Sequence, residues 1–172
     1  MTPSVPLPPP AIRRVITGHT PAGKATVVED KVTTMQKFGD KPDAALFTTL
    51  YRSDDLKPSN DGEYVESTKQ DLIGEEGSTF RAWDMAPHSI SPFHRTISLD
   101  YAIVVKGSIV CELDDGKRVS LSAGDVLVQR GTIHAWHNET DEWTRVFFTM
   151  IASKPVEIDG KKLPTEFKES SK

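Results

Sequence analysis

Nine short runs rich in β-branched and aromatic residues constrain this chain more than any other feature. They lie at 13–17, 25–29, 46–51, 79–83, 101–105, 108–113, 119–121, 125–129 and 144–151, and turn residues separate them. Runs of this length and composition read as strands, and no long segment carries the helical period. The Asp-Asp-Gly-Lys stretch at 114–117 reads as a hairpin turn with Gly116 free to adopt positive φ. Ala123-Gly124-Asp125 and Arg130-Gly131-Thr132 read as further turns. The expected class is all-β, a sandwich or a closed barrel, between which periodicity does not choose.

A length of 172 residues suits a single domain. Five prolines crowd the first ten residues, so 1–10 is expected as a disordered arm. The barrel is expected over 11–153, followed by a loosely ordered tail over 154–172 that is rich in lysine and acid. Residues 53–77, with Pro58, Asn60, Gly62, Gly74 and Gly77, read as a long loop or lid. The net charge of −4 and the lack of a basic, aromatic-laced stripe argue against nucleic acid as a partner. No apolar run approaches the ~20 residues of a membrane-spanning helix. The opening MTPSVPLPPP lacks the basic start and apolar run of a secretory signal. Cys111 is the single cysteine, which excludes an intrachain disulfide and a Cys-based zinc site. Such usage suits a reducing, cytoplasmic setting.

The residues that carry chemistry are few. His94, Thr96, Ser98 and Asp100 alternate, as do His134, Trp136 and Asn138, so each set shares a face on a regular strand. Imidazoles and a carboxylate on facing strands can bind a metal or exchange protons with a substrate. Arg81 and Trp83 share one strand face and are candidate pocket walls, as is Trp136; ordinary sheet or core packing is the alternative for each. His137 is expected to point away from His134, Arg95 away from His94, and His88 to be a surface loop residue. Cys111 is expected as a buried filler.

The order from His94 onward is distinctive. His94-Arg95-Thr96 is followed by three residues, Asp100, six residues and Gly107. Gly124-Asp125 and then His134-Ala135-Trp136-His137-Asn138 come later. These spacings resemble the two motifs of the cupin superfamily, with Arg130 where the family often has proline. The pairs HisArgThr…LeuAspTyr and GlnArgGlyThr…HisAlaTrp, with Arg13-Arg14 and Thr17-Gly18-His19 upstream, resemble a subgroup found in bacteria and in fungal polyketide pathways. The likeness runs from about Arg13 to Ile151.

The resemblance implies a single-domain cupin double-stranded β-helix, a jelly-roll barrel that pairs as a homodimer. It places a small-molecule site at His94, Thr96, Asp100 and His134. Many metal-binding members use a second histidine where this chain has Thr96, and a glutamate where it has Asp100. His94, Asp100 and His134 therefore remain as metal ligands, for zinc, iron or manganese, with a metal-free site as the alternative. The expected function is a lyase- or isomerase-like enzyme acting on a polyketide-type substrate: dehydration, decarboxylation or a proton shift. His94 and His134 would serve as base and acid, Asp100 would orient or exchange a proton, and Thr96 would bond a substrate oxygen. A metal-dependent oxygenase and a non-catalytic small-molecule binder are the alternatives.

Overall fold

The computed structural model describes residues 6–39 and 44–168. Sixteen strands are present among these residues. They are β1 (Arg13–His19), β2 (Ala25–Val32), β3 (Gln36–Lys37), β4 (Leu46–Ser53), β5 (Ser78–Met85), β6 (Ser89–Ile90), β7 (Phe93–Arg95) and β8 (Ser98–Lys106), followed by β9 (Ser108–Leu113), β10 (Arg118–Ser122), β11 (Val126–Arg130), β12 (His134–Asn138), β13 (Thr144–Ala152), β14 (Glu157–Ile158), β15 (Lys161–Lys162) and β16 (Glu166–Lys168). Among the described residues no helix is long and apolar enough to cross a membrane.

Two six-stranded sheets form the barrel. One runs β10-β9-β12-β7-β16, with β6 beside β12; the other runs β11-β8-β13-β5-β4-β3. Eight of the nine runs singled out in the sequence fall within strands, and the ninth, 125–129, does so from Val126 onward. Alternation explains why. On β8, Ser98, Asp100, Ala102 and Val104 are buried, while Tyr101, Ile103 and Val105 face out. The buried side meets Ile109, Cys111, Trp136, Val146 and Phe148 in one core between the sheets. Gly116 takes φ +80° in the β9–β10 turn, as its sequence implies. Gly77 has no substitute: a Cβ there would sit 2.0 Å from the Ser53 carbonyl oxygen.

Three regions differ from the sequence reading. His94 and Asp100 do not share one strand, because the chain leaves the first sheet after Arg95 and enters the second at Ser98. The two residues between them preserve the inward alternation, so His94, Thr96, Ser98 and Asp100 are all still buried. The stretch read as a loose tail contains β16, which pairs with β7 in the register Glu166↔Arg95 and Phe167↔His94. Of the N-terminal arm, residues 6–10 are described, and Pro6 accepts a 2.9 Å hydrogen bond from Trp143 Nε1; residues 1–5 and 169–172 lie outside the described residues.

The loop at 54–77 has no regular structure, and Arg52 ties it down. Its guanidinium donates to both carboxylate oxygens of Asp71, at 3.0 and 2.9 Å, and to Asp54 at 2.8 Å. The hairpin β1–β2 forms its own sheet. Arg14, held by Glu29 within the hairpin, fixes it to the barrel by donating to the Leu50 carbonyl of β4.

Candidate active site

The inner ends of both sheets enclose a cavity of about 400 Å³. Its walls are mostly aromatic and aliphatic, among them Trp83, Trp136, Phe148, Leu72 and Ile73. Every site residue named from the sequence lines it: His94, Thr96, Asp100, His134, Arg81, Trp83 and Trp136. Three further lining residues were not named from the sequence. Leu72 and Ile73 arrive from the irregular loop, and Phe167 arrives from β16. The ring of Phe167 stacks on His94 with centroids 5.8 Å apart and planes 8° apart. A lone large aromatic in a lysine- and glutamate-rich stretch is the signal that marks it.

His94 and His134 are direct cross-strand partners, with ring centroids 4.2 Å apart. Each Nδ1 lies 3.0 Å from a backbone carbonyl, that of Pro92 for His94 and that of Thr132 for His134. A carbonyl oxygen only accepts, so each Nδ1 carries the proton and donates it. In a neutral ring the Nε2 atom is then bare, and both histidines hold a lone pair there. Burial lowers the pKa of His94 below its ordinary value. His134 falls from 6.5 to about 3, first by burial and then by the neighbouring His94. Both rings are therefore neutral at pH 7.

Asp100 moves the other way. Burial raises its carboxyl to about 6, and a hydrogen bond from Ser98 offsets part of that rise. Its Oδ1 has no hydrogen-bond partner. Thr96 and Ser98 join their hydroxyls at 2.8 Å. Gln129, the cross-strand neighbour of Asp100, is also buried with neither amide atom partnered. Arg81 donates to Thr49 Oγ1 at 3.1 Å and packs over the Phe47 ring, but its Nε is buried without a partner. Burial, then the nearby Arg52, lowers its pKa from the usual guanidinium value. The indole Nε1 atoms of Trp83 and Trp136 are likewise unpartnered. Buried polar atoms left without partners are costly, and those of Asp100, Arg81, Trp83 and Trp136, which all line the cavity, point to a polar ligand that completes them.

The remaining histidines lie elsewhere. His88 is exposed, 2.8 Å from Asp141, and His137 sits 2.7 Å from Glu112. Cys111 is buried in the core, which pushes its thiol up to about 11.

The expected metal set His94, Asp100 and His134 lines one cavity. Two bare imidazole nitrogens stand together, but Asp100 does not join them. Among the described residues no group of three or more His, Cys, Asp and Glu side chains is placed to hold a metal ion. Asp100 enters from the opposite sheet on a short side chain, and Thr96 offers a hydroxyl engaged with Ser98. The donors present do not fit a metal held by three protein ligands.

An all-β barrel with a cavity between its sheets defines the class. A family model described as the Cupin domain matches residues 81–151. The cupin-domain-containing oxidoreductase fogC of Aspergillus ruber is 32% identical over 156 residues, covering 87% of this chain and 77% of that protein. Phomopsin biosynthesis cluster protein D of Diaporthe leptostromiformis is 44% identical over 98 residues, covering 56% of this chain and 52% of that protein. Among solved structures, the Cnp3 cupin domain of Schizosaccharomyces pombe matches the fold with a TM-score of 0.54 at 12% identity, covering 82% of this chain and 88% of that chain. The chain belongs to the cupin superfamily.

Proposed function

We propose that this protein is a cytoplasmic enzyme of secondary metabolism that moves protons on a flat, oxygenated, polyketide-type molecule. The product is formed by dehydration, decarboxylation or a proton shift. The observation that carries this reading is the pair of tautomer-fixed imidazoles. Two neutral Nε2 bases face an apolar cavity beside a carboxyl whose pKa is raised to about 6. Secondary metabolism is supported by the phomopsin-cluster relative, and the cytoplasm by the lone thiol.

The chemistry follows from the groups. One imidazole Nε2 removes a proton from carbon next to a carbonyl. Its charge then bars protonation of the second ring at close range, so the pair accepts a single proton. Asp100 in its protonated form hands a proton to the departing or tautomerising oxygen. Arg81 and the two indole N–H groups offer buried donors for a developing oxyanion. Thr96 orients a substrate hydroxyl. The apolar walls exclude water and stack on a planar ring system.

The test uses a panel of aryl β-hydroxy and β-keto compounds, incubated with the protein in heavy water and followed by mass spectrometry and an oxygen electrode. Loss of water or carbon dioxide, or deuterium uptake at unchanged oxidation level, is the expected result. A redox-changed product or oxygen consumption sinks the reading. That outcome would favour the second reading, an oxidoreductase, for which the name of the Aspergillus ruber relative speaks. Saturable binding with no chemical change would favour a carrier.

We also propose that two copies pair through the outer face of the β11–β8 ribbon. Val126 stands opposite Ile103 and Val128 opposite Tyr101, and all four are exposed. An uncharged apolar row of this kind is covered by the same row of a second copy about a two-fold axis.

A further inference from the structure

The two arginines of the sequence motifs, Arg95 and Arg130, take no part in the cavity above, yet they converge. Together with Lys154 they line a second pocket of about 250 Å³. Thr96 forms part of both pockets, so this one lies on the other side of the same chain segment. Strand alternation is the cause: His94 turns into the barrel and Arg95 to the opposite face. Three cations and no acid line this second pocket. Arg95 is only 9% exposed, and its Nε is buried with no hydrogen-bond partner. Its Nη1 reaches a single carboxylate, Glu166, at 3.2 Å, and Glu166 is shared with Lys168 at 2.9 Å. Among the described residues Arg130 and Lys154 have no ion pair, and both are exposed at the pocket rim.

A buried guanidinium with an idle donor, sharing a pocket with two unpaired cations, is built for an anion. We infer that this second pocket binds the oxyanion group of a small molecule, a phosphate or a carboxylate. Arg95 supplies the oriented donors at the base, and Arg130 and Lys154 supply charge at the rim. Glu166 is the internal competitor for Arg95. The pocket holds one such group with a few attached carbons. This assignment is independent of the reaction proposed for the catalytic cavity, since none of the three cations lines that cavity.

The experiment titrates inorganic phosphate, and separately acetate, into the full chain at low ionic strength. Calorimetry and backbone amide shifts report the binding. The expected result is saturable binding at one site, with shifts centred on Gly131 and Ser153 and weakening as salt is added. Arg130→Gln and Lys154→Gln change exposed side chains and leave the fold intact, and each is expected to weaken binding about tenfold. Glu166→Gln removes the competitor and is expected to tighten it. Tighter binding of phosphate identifies a phosphate ester as the source of the group, and tighter binding of acetate a carboxylic acid. Absence of saturation with both anions overturns the site. So does saturable binding that Arg130→Gln and Lys154→Gln leave unchanged.

Discussion

Two buried carboxylates on one sheet have opposite surroundings. Asp84 of β5 is fully buried, and Arg145 of β13 holds it in a bidentate pair, both contacts at 2.6 Å. The two are cross-strand partners, so the pair also fixes the β5–β13 register. Asp100 of β8 is nearly as buried, yet one of its oxygens has no partner and its neighbour Gln129 is idle. The arginines mirror this: Arg145 is satisfied by Asp84, while Arg81 keeps a buried Nε unpaired. A satisfied buried charge builds the barrel. An unsatisfied one, grouped with others in a cavity, stores interaction free energy for a ligand.

The contrast can be broken by mutation. The largest effect is expected at the imidazole pair. His134→Ala should lower turnover of a substrate found in the panel by about 10²–10⁴-fold while leaving the melting temperature nearly unchanged. Unchanged turnover would remove the pair from the mechanism. Next comes a matched substitution at the two carboxylates. Asp84→Asn leaves Arg145 buried without its counter-charge and should cost about 3–5 kcal/mol in urea unfolding. Asp100→Asn at pH 7 relieves a buried charge and should stabilise the fold by about 1–3 kcal/mol, while activity falls. Effects of the same sign would erase the distinction drawn here.

The pH dependence of stability follows from the same groups. The folded pKa of His134, about 3, lies below its ordinary 6.5, so the unfolded state binds the proton first. Its contribution is complete above 6.5 and is lost as pH falls toward 3. Asp100 acts in reverse: its folded value of about 6 lies above 3.8, so its contribution is full below 3.8 and is lost as pH rises through 6. Melting curves from pH 7 to pH 4 should therefore fall less steeply in His134→Gln and more steeply in Asp100→Asn than in the native chain. The smallest structural change is expected from Val128→Lys. It should convert a dimer to a monomer in sedimentation at micromolar concentration with the barrel intact. A native protein that sediments as a monomer removes the pairing face.

Much of this fold was legible in the sequence because strand alternation and glycine-marked turns are local signals. The nine runs read as strands match strands to within a residue, and His94 and His134, which the resemblance to the two cupin motifs put in one site, are cross-strand partners. The sheet switch between Arg95 and Ser98 was not legible, because two connecting residues leave the inward period unbroken. β16 was hidden by its composition: Glu166 and Lys168 read as a solvated tail, while Phe167 is held by a strand distant in sequence. The same long-range pairing brings Glu166 onto Arg95. The idle state of Asp100 and Gln129 also lies beyond spacing, since it depends on what fails to reach them across the β8–β11 ribbon.

Both site imidazoles are neutral, carry the proton on Nδ1 and offer a bare Nε2 to the cavity. Nitrogen-15 NMR of the histidine side chains tests this directly, with His94→Gln and His134→Gln used for assignment. The expected result is two neutral Nδ1–H rings at pH 7, neither becoming protonated until the pH is below 6.5. A proton on Nε2 of either ring, or a charged ring at pH 7, would contradict it.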